Sequence, residues 1–277
     1  MDFESYRALF NIQGKNAVIT GGSGVLGRAM ALGLAQAGAR IAVVSRRQAA
    51  CEHVAAEIRR AGGQAFAVAC DVTERAQLER AAENIAREFG PADILINAAG
   101  GNQPGASTSA TQSFFDLDTE TLTRVLNLNV NGTLFACQVF GRGMAERKEG
   151  IIVNIASMSA NRPLTRVVAY SVAKAAVTNF TQWLAVYMAQ EYSPQIRVNA
   201  LAPGFFLTEQ NRYLLIDKDS GAWTERGAKI IAHTPMARLG NPADLVGTLL
   251  WLVSPASSFV TGVIVPVDGG FGAFSGV

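Results

Sequence analysis

Seven short runs rich in β-branched and apolar residues punctuate this chain: Ala17–Thr20, Arg40–Ser45, Ala65–Ala69, Asp93–Asn97, Ile151–Ile155, Ile196–Leu201 and Val263–Val267. Between them lie longer segments, among them Ala29–Gln36, Cys51–Arg60, Arg75–Phe89 and Val172–Tyr192, whose Ala, Leu, Arg and Glu residues fall at spacings that give one apolar face. The first pattern predicts strands, the second helices. Strands joined through helices run parallel, and strands apolar on both sides need helices over both faces of their sheet. The alternation therefore predicts an α/β fold, a doubly wound parallel seven-stranded sheet with helices on both faces. Ligands of such a sheet bind beyond the carboxyl ends of its strands. Two segments break the rhythm: residues 101–118, polar with Gly, Ser and Thr, and residues 205–235, where no strand pattern occurs. Loops of this length in a compact domain are often functional, and both are expected to form substrate-facing walls.

The 277 residues, 49% hydrophobic and 17% charged, supply one substantial core, so a single domain over residues 1–277 is expected. A net charge of +2 gives no long-range field suited to nucleic acid or an anionic membrane surface; a small, anionic ligand fits better. Cys51, Cys70 and Cys137 lie far apart, which suits reduced thiols in a cytoplasmic protein. With His53 and His233 the only histidines, no metal site is expected. Met1–Phe10 lacks the basic start and apolar run of a secretory signal. The strongest apolar stretch, Leu245–Val253, is about half the length that spans a bilayer and reads as a buried helix.

The first strand runs into Thr20-Gly21-Gly22-Ser23-Gly24-Val25-Leu26-Gly27 and then a helix. Gly22, Gly24 and Gly27 form G-x-G-x-x-G in the strand-to-helix context that a dinucleotide loop requires. Glycine there permits a tight turn and close approach to pyrophosphate, while the helix N-terminus offers N–H donors. An acid at the end of strand two would bind the adenosine ribose and repel a 2′-phosphate. Here that strand ends Val44-Ser45-Arg46-Arg47, a hydroxyl and guanidinium suited to a phosphate, so NADP(H) is favoured and NAD(H) stays open. The alternative is that Arg46 and Arg47 are solvated charges opening the next helix.

After the fifth strand come Ser157 and then Tyr170-Ser171-Val172-Ala173-Lys174, a YxxxK pair on one helix face with the serine 13 residues ahead of the tyrosine. This arrangement resembles the classical short-chain dehydrogenase/reductase family. Thr20–Gly27 is similar to its TGxxxGxG loop, Asp71-Val72 to its adenine-side pair, Asn97-Ala98-Ala99-Gly100 to its NNAG turn and Asp268-Gly269-Gly270 to its closing DGG. Pro203-Gly204, with Thr208 beyond, resembles the segment holding the nicotinamide carboxamide. The similarity covers roughly residues 15 to 270 and implies a Rossmann-type NAD(P)-dependent oxidoreductase. Its implied catalytic residues are Asn129, Ser157, Tyr170 and Lys174. Cofactor contacts are implied for Gly21, Ser23, Gly24, Val25, Leu26, Ser45, Arg46, Asp71, Val72, Asn97, Ala98, Ala99, Gly100, Tyr170, Lys174, Pro203, Gly204, Phe206 and Thr208. A homotetramer is implied as well, and the apolar stretches Val130–Phe140 and Ala175–Tyr187 could bury surface between subunits.

Two positions depart from the pattern. Val25 stands in place of the loop's middle glycine, giving up its φ > 0 option, which Gly24 could supply; Ala98 replaces the second asparagine of NNAG. Ala99-Gly100-Gly101-Asn102, Phe114–Asp118, Ala202–Phe206, Gln210-Asn211-Arg212 and the tail Gly270–Val277 are similar to the D-mannonate oxidoreductase, or fructuronate reductase, branch. That branch interconverts D-mannonate and D-fructuronate at C5, placing the chain in carbohydrate metabolism. Its members usually carry an acid at the end of strand two, from which Ser45-Arg46 departs. A sugar acid needs a cation for its carboxylate and polar groups for its hydroxyls. Asn102, Arg162, Arg166, Gln210, Asn211 and Arg212 lie in the expected walls, with Arg166 and Arg212 ranked first for the carboxylate.

Ketone reduction needs hydride at carbon and a proton at oxygen, which a tyrosine near its reference pKa of about 10 can donate at neutral pH. Oxidation needs tyrosinate, roughly one molecule in a thousand at pH 7, a cost of about 4 kcal/mol. Cationic Lys174 and the oxidised nicotinamide would favour tyrosinate by proximity, and Ser157 would bond the reacting oxygen. The resemblance adds a water held by Asn129 as a relay to Lys174. Reductases of another polyol, keto acid or 3-oxoacyl substrate share this scaffold, and a non-catalytic dinucleotide-sensing module is the alternative from a different class.

Overall fold

The computed structural model describes residues 2–208 and 211–276. In chain order it contains α1 (Phe3–Ala8), β1 (Asn16–Thr20), α2 (Val25–Gln36), β2 (Arg40–Ser45), α3 (Gln48–Arg60), β3 (Gln64–Ala69), α4 (Arg75–Phe89), β4 (Ile94–Asn97), α5 (Thr119–Leu126) and α6 (Gly132–Arg147). Then follow β5 (Gly150–Ile155), α7 (Val168–Glu191), β6 (Ile196–Pro203), α8 (Arg212–Leu215), α9 (Glu225–Ala232), α10 (Asp244–Val253) and β7 (Ile264–Val267). The seven strands form one parallel sheet in the order β3-β2-β1-β4-β5-β6-β7. Every strand expected from the sequence is present, with ends shifted by no more than two residues.

The strands read as continuous apolar runs because both their faces are covered. Alternate side chains point to opposite faces. Ala17 and Ile19 of β1, Ile41 and Val43 of β2, and Ile94 and Ile96 of β4 pack with Met30 and Leu34 of α2, Val54 and Ile58 of α3 and Leu245 and Leu249 of α10. Val18, Ala42, Val44 and Leu95 face the other way, onto Leu78 and Ile85 of α4, Phe140 of α6 and Leu184 and Met188 of α7. The sheet thus divides the expected single core into two layers. Leu245–Val253 is a buried helix against α2, and no helix among the described residues is long and apolar enough to cross a membrane.

Strand order reverses between β1 and β4, where Thr20 pairs with Asn97, so the crevice of the fold opens above these two strand ends. The two irregular segments border it. Residues 101–118 hold only two short 3-10 turns, Pro104–Ala106 and Phe114–Asp116. Within residues 205–235, α8 and α9 form where the sequence reading placed loop; α9 starts at Thr224, whose hydroxyl accepts from Gly227 N at 3.0 Å. Thr224 ahead of Ile230 and Ile231 is a helix-start signal that locates α9 in retrospect.

Candidate active site

The turn after β1 is shaped by contacts that leave no room for a side chain. Gly21 has φ +67°, and a Cβ there would lie 2.6 Å from the carbonyl carbon of Ala98 and the nitrogen of Ala99. A Cβ on Gly27 would collide with the Gly21 carbonyl. Gly24 is extended, at φ −76°, and caps α2, while Val25 is the first residue of that helix. The left-handed residue is therefore Gly21, not Gly24, and Val25 sits where helical backbone suits an L side chain. Gly24, Val25, Leu26 and Gly27, at the N-terminus of α2, line the crevice, so the helix offers its unpaired N–H groups to an anion there.

One cavity of about 860 Å³ runs from this turn across the strand ends to α8 and α9. At its adenosine end Ser45 Oγ lies 2.7 Å from Ser23 Oγ and 3.0 Å from Cys51 Sγ, and Arg46 and Arg47 stand exposed on the rim, Arg47 at the start of α3. Asp71 is fixed there by accepting from Thr73 N and Oγ1 at 3.0 and 2.8 Å, beside Val72, Ala98, Ala99 and Gly100. Gly21, Ser23, Gly24, Leu26, Pro203, Gly204, Phe206 and Thr208 also line it. Asn97 does not: its side chain turns into the core, where Nδ2 donates to Asn154 Oδ1 at 2.9 Å and ties β4 to β5. The Asn97 side chain thus lies underneath the turn that faces the cavity, which leaves its backbone as the part that could meet a cofactor.

Beyond Gly100 the reactive side chains gather. Ser157 follows β5, and Tyr170 and Lys174 lie one turn apart on α7, all three on the cavity wall. Ser157 hydrogen-bonds Tyr170, which lowers the phenol's pKa, but burial outweighs it and the pKa is raised. Buried Lys174 donates from Nζ to Ile155 O at 2.8 Å and lies 5.5 Å from the centre of the Tyr170 ring. Burial lowers its pKa to about 8. In the protein without cofactor the pull on Tyr170 thus comes from Ser157, and the tyrosine is held in its acid form.

Asn129 sits behind this wall in a single π-helical turn, Asn127–Asn131, between α5 and α6. The extra residue turns its amide inward: Nδ2 donates to Val125 O and Gly101 O, both at 2.8 Å, and Oδ1 accepts from Gly101 N at 3.1 Å. A Cβ on Gly100 would meet Asn129 Oδ1 at 2.6 Å and Lys174 Nζ at 3.2 Å, so Asn129, Gly100 and Lys174 are packed together.

At the substrate end the cavity is lined by Asn102, Met158, Leu164, Val167, Asn211, Tyr213, Leu214 and Arg226. Asn102 Oδ1 is buried without a hydrogen-bond partner, while its Nδ2 donates to Ser107 Oγ. Asn211 is spent on its own loop, accepting from Thr208 N and donating to Phe206 O. Arg212 is exposed on α8 and lines no part of this cavity; Arg162 and Arg166 line an adjoining cavity of about 550 Å³ with Glu225, Lys229, His233 and the tail aromatics Phe271 and Phe274. Gln210 lies outside the described residues. Arg226, Leu164 and Phe205 border both cavities. Sequence reasoning passed over Tyr213 and Arg226 because no motif marks them.

A wall carrying Ser157, Tyr170 and Lys174 and a glycine-built turn on a doubly wound sheet suit a nucleotide-dependent oxidoreductase, and the comparisons agree. The short chain dehydrogenase family matches residues 15–219, and this chain belongs to that family. It is an NAD(P)-dependent dehydrogenase/reductase acting on CH–OH groups. It is 52% identical over 276 residues to an uncharacterized oxidoreductase, UxuB, of Bacillus subtilis (strain 168), covering 96% of this chain and 98% of that one. A solved structure from Haemophilus influenza, provisionally titled a D-mannonate oxidoreductase and holding NAD, is 44% identical with a TM-score of 0.90, over 96% and 98% of the two chains. A gluconate 5-dehydrogenase from Burkholderia cenocepacia, in complex with NADP and tartrate, is 30% identical with a TM-score of 0.86, over 96% and 98%.

Proposed function

We propose that this chain is a cytoplasmic, homo-oligomeric reductase of a sugar acid, interconverting D-fructuronate and D-mannonate with a preference for NADP(H), and that Asn129, Ser157, Tyr170 and Lys174 are its catalytic residues. The observation that carries this reading is the single cavity joining Ser45 and Arg46 at one end, Ser157, Tyr170 and Lys174 at its middle, and polar Asn102 and cationic Arg226 at the other. The relatives titled for mannonate and gluconate support the sugar-acid class. Ser45 and Arg46 support the phosphorylated cofactor, because a hydroxyl and an exposed guanidinium offer donors to a 2′-phosphate and no carboxylate stands at the end of β2. Phe180, Trp183 and Tyr187, stacked along the exposed face of α7, support association of subunits there. The segments 101–118 and 205–235 serve as the substrate's walls.

A nicotinamide cofactor bound along residues 21–26 and 203–208 would supply or accept the hydride. The chain's own groups handle the oxygen. Ser157 Oγ donates to the carbonyl oxygen as negative charge develops, and Tyr170, kept protonated by its buried setting, delivers the proton. Lys174, anchored by its bond to Ile155 O and packed beside Asn129 and Gly100, then returns a proton to Tyr170 from behind. A raised tyrosine pKa favours reduction at neutral pH and makes oxidation climb with rising pH. The test is the nicotinamide absorbance change with D-fructuronate and NADPH or NADH, and with D-mannonate in reverse. Turnover with D-fructuronate, with kcat/KM higher for NADPH and Arg46→Ala cutting the NADPH to NADH ratio about tenfold, is expected. Silence on both sugar acids would overturn the substrate, and an unchanged ratio would overturn the cofactor preference.

A further inference from the structure

We propose that Arg226 is the side chain that binds the substrate's carboxylate, and so selects a sugar acid over the corresponding neutral sugar. The assignment rests on the sugar-acid reading above. Besides catalytic Lys174, the cationic side chains on the walls of the large cavity are Arg46 and Arg47 at the adenosine end and Arg226 at the substrate end. Arg226 is half-buried on the first turn of α9, close to Tyr213 and Leu215 on the same wall. Its guanidinium donates to Thr165 Oγ1 at 3.2 Å and Thr165 O at 3.3 Å. A guanidinium has five donors, so the remaining ones are free for an anion.

Charge points the same way. No carboxylate among the described residues pairs with Arg226. The one acid beside it, Glu225, is exposed, bonds Lys229 at 2.6 Å and also feels the charge of Arg166. Burial and the neighbouring Arg166 both disfavour the charged form of Arg226. A cation held half out of water beside another cation, with no counter-ion of its own, is a site that an incoming carboxylate completes, and the pairing gains strength from the same desolvation. Arg166 has Glu225 as a countercharge and faces the adjoining cavity, and Arg212 faces neither; this is why Arg226, which the sequence did not single out, outranks both.

D-Fructose and D-fructuronate share the reacting ketone and differ at the chain end remote from it, where one carries CH2OH and the other a carboxylate. The experiment compares kcat/KM for the two ketones in the wild-type protein, Arg226→Met and Arg226→Lys, with cofactor binding followed by nicotinamide fluorescence. Arg226→Met is expected to lose about 100-fold in kcat/KM on D-fructuronate, mainly through KM, and to leave D-fructose and cofactor binding unchanged; Arg226→Lys recovers part of the loss. Should Arg226→Met be insoluble, Arg226→Gln, which keeps a donor toward Thr165, reads the same ratio. Wild-type turnover of D-fructuronate with undiminished discrimination in the variants overturns the assignment of Arg226 alone, as does an equal loss on both ketones. Wild-type failure on D-fructuronate overturns the sugar-acid reading and this assignment with it.

Discussion

The two ends of the active-site cavity are built from different materials. At the dinucleotide end the glycine turn is shaped by backbone: a Cβ on Gly21 would strike the Ala98–Ala99 peptide at 2.6 Å, and one on Gly204 would lie 2.6 Å from Asp268 Cα. At the substrate end the surface is side chains carried on short helices and irregular segments, Asn102, Tyr213, Leu214 and Arg226 among them. Gly221, in the segment between α8 and α9, has φ +69°, almost that of Gly21, yet a Cβ there would meet nothing within 4 Å. A surface made of backbone tolerates few sequences, so it is written as a motif. A surface made of side chains can change its ligand by single substitutions without disturbing the sheet beneath it.

The largest effect expected from this division is at the seam. Tyr170→Phe removes the proposed proton donor while the ring, which packs beside Ala106, Val125 and Ala169, keeps its place. Turnover should fall by about 10³-fold, some 4 kcal/mol of transition-state stabilisation, with dinucleotide binding intact. Steady-state rates and a cofactor titration on the same sample decide it. Loss of cofactor binding together with turnover would show that the two ends are not separable.

A matched pair of glycine substitutions tests the contrast itself. Gly21→Ala and Gly221→Ala impose the same left-handed strain, about 1–2 kcal/mol. Only the first adds a collision with neighbouring backbone, which cannot swing aside as a side chain would. Gly21→Ala should therefore cost about 3 kcal/mol more than Gly221→Ala in denaturant unfolding and weaken cofactor binding besides. Equal costs would mean that the dinucleotide turn has slack and that backbone crowding is not what shapes it.

The same division explains what the sequence revealed. The seven strands were legible because burial on both faces leaves continuous apolar runs, and the shared placement of Tyr170 and Lys174 on the cavity wall because they lie one helical turn apart. The direction of the Asn97 side chain was not legible for an instructive reason: adjacent residues of a strand end point to opposite sides, and the motif does not say which side chain faces the cavity. Arg226 was hidden because α9 has only eight residues and lies inside a segment without strand or long helical periodicity, so its place on the wall comes from tertiary packing alone. Arg166 and Arg212 were ranked above it on charge and neighbourhood in sequence, neither of which encodes which cavity a side chain faces.

Lys174 belongs to both ends: it bonds Ile155 O at the tip of β5, packs beside Gly100 of the glycine turn, and lies 5.5 Å from the centre of the Tyr170 ring. Burial lowers its pKa from 10.5 to about 8, so in the cofactor-free protein its charge is a cost to folding. Below pH 8 both folded and unfolded chains carry the proton and the cost is present in full. Between pH 8 and 10.5 the folded protein releases the proton while the unfolded chain keeps it, so stability rises with pH; above 10.5 the cost is gone. Relative to Lys174→Met, in which all other titrations cancel, the wild-type protein should gain up to about 3 kcal/mol across that window, less once bound cofactor places an anionic or polar partner near the amine. Denaturant unfolding of both proteins at a series of pH values from 7 to about 11 measures the difference directly. A flat difference would place Lys174 in solvent contact and remove the sealed seam on which the contrast between the two ends depends.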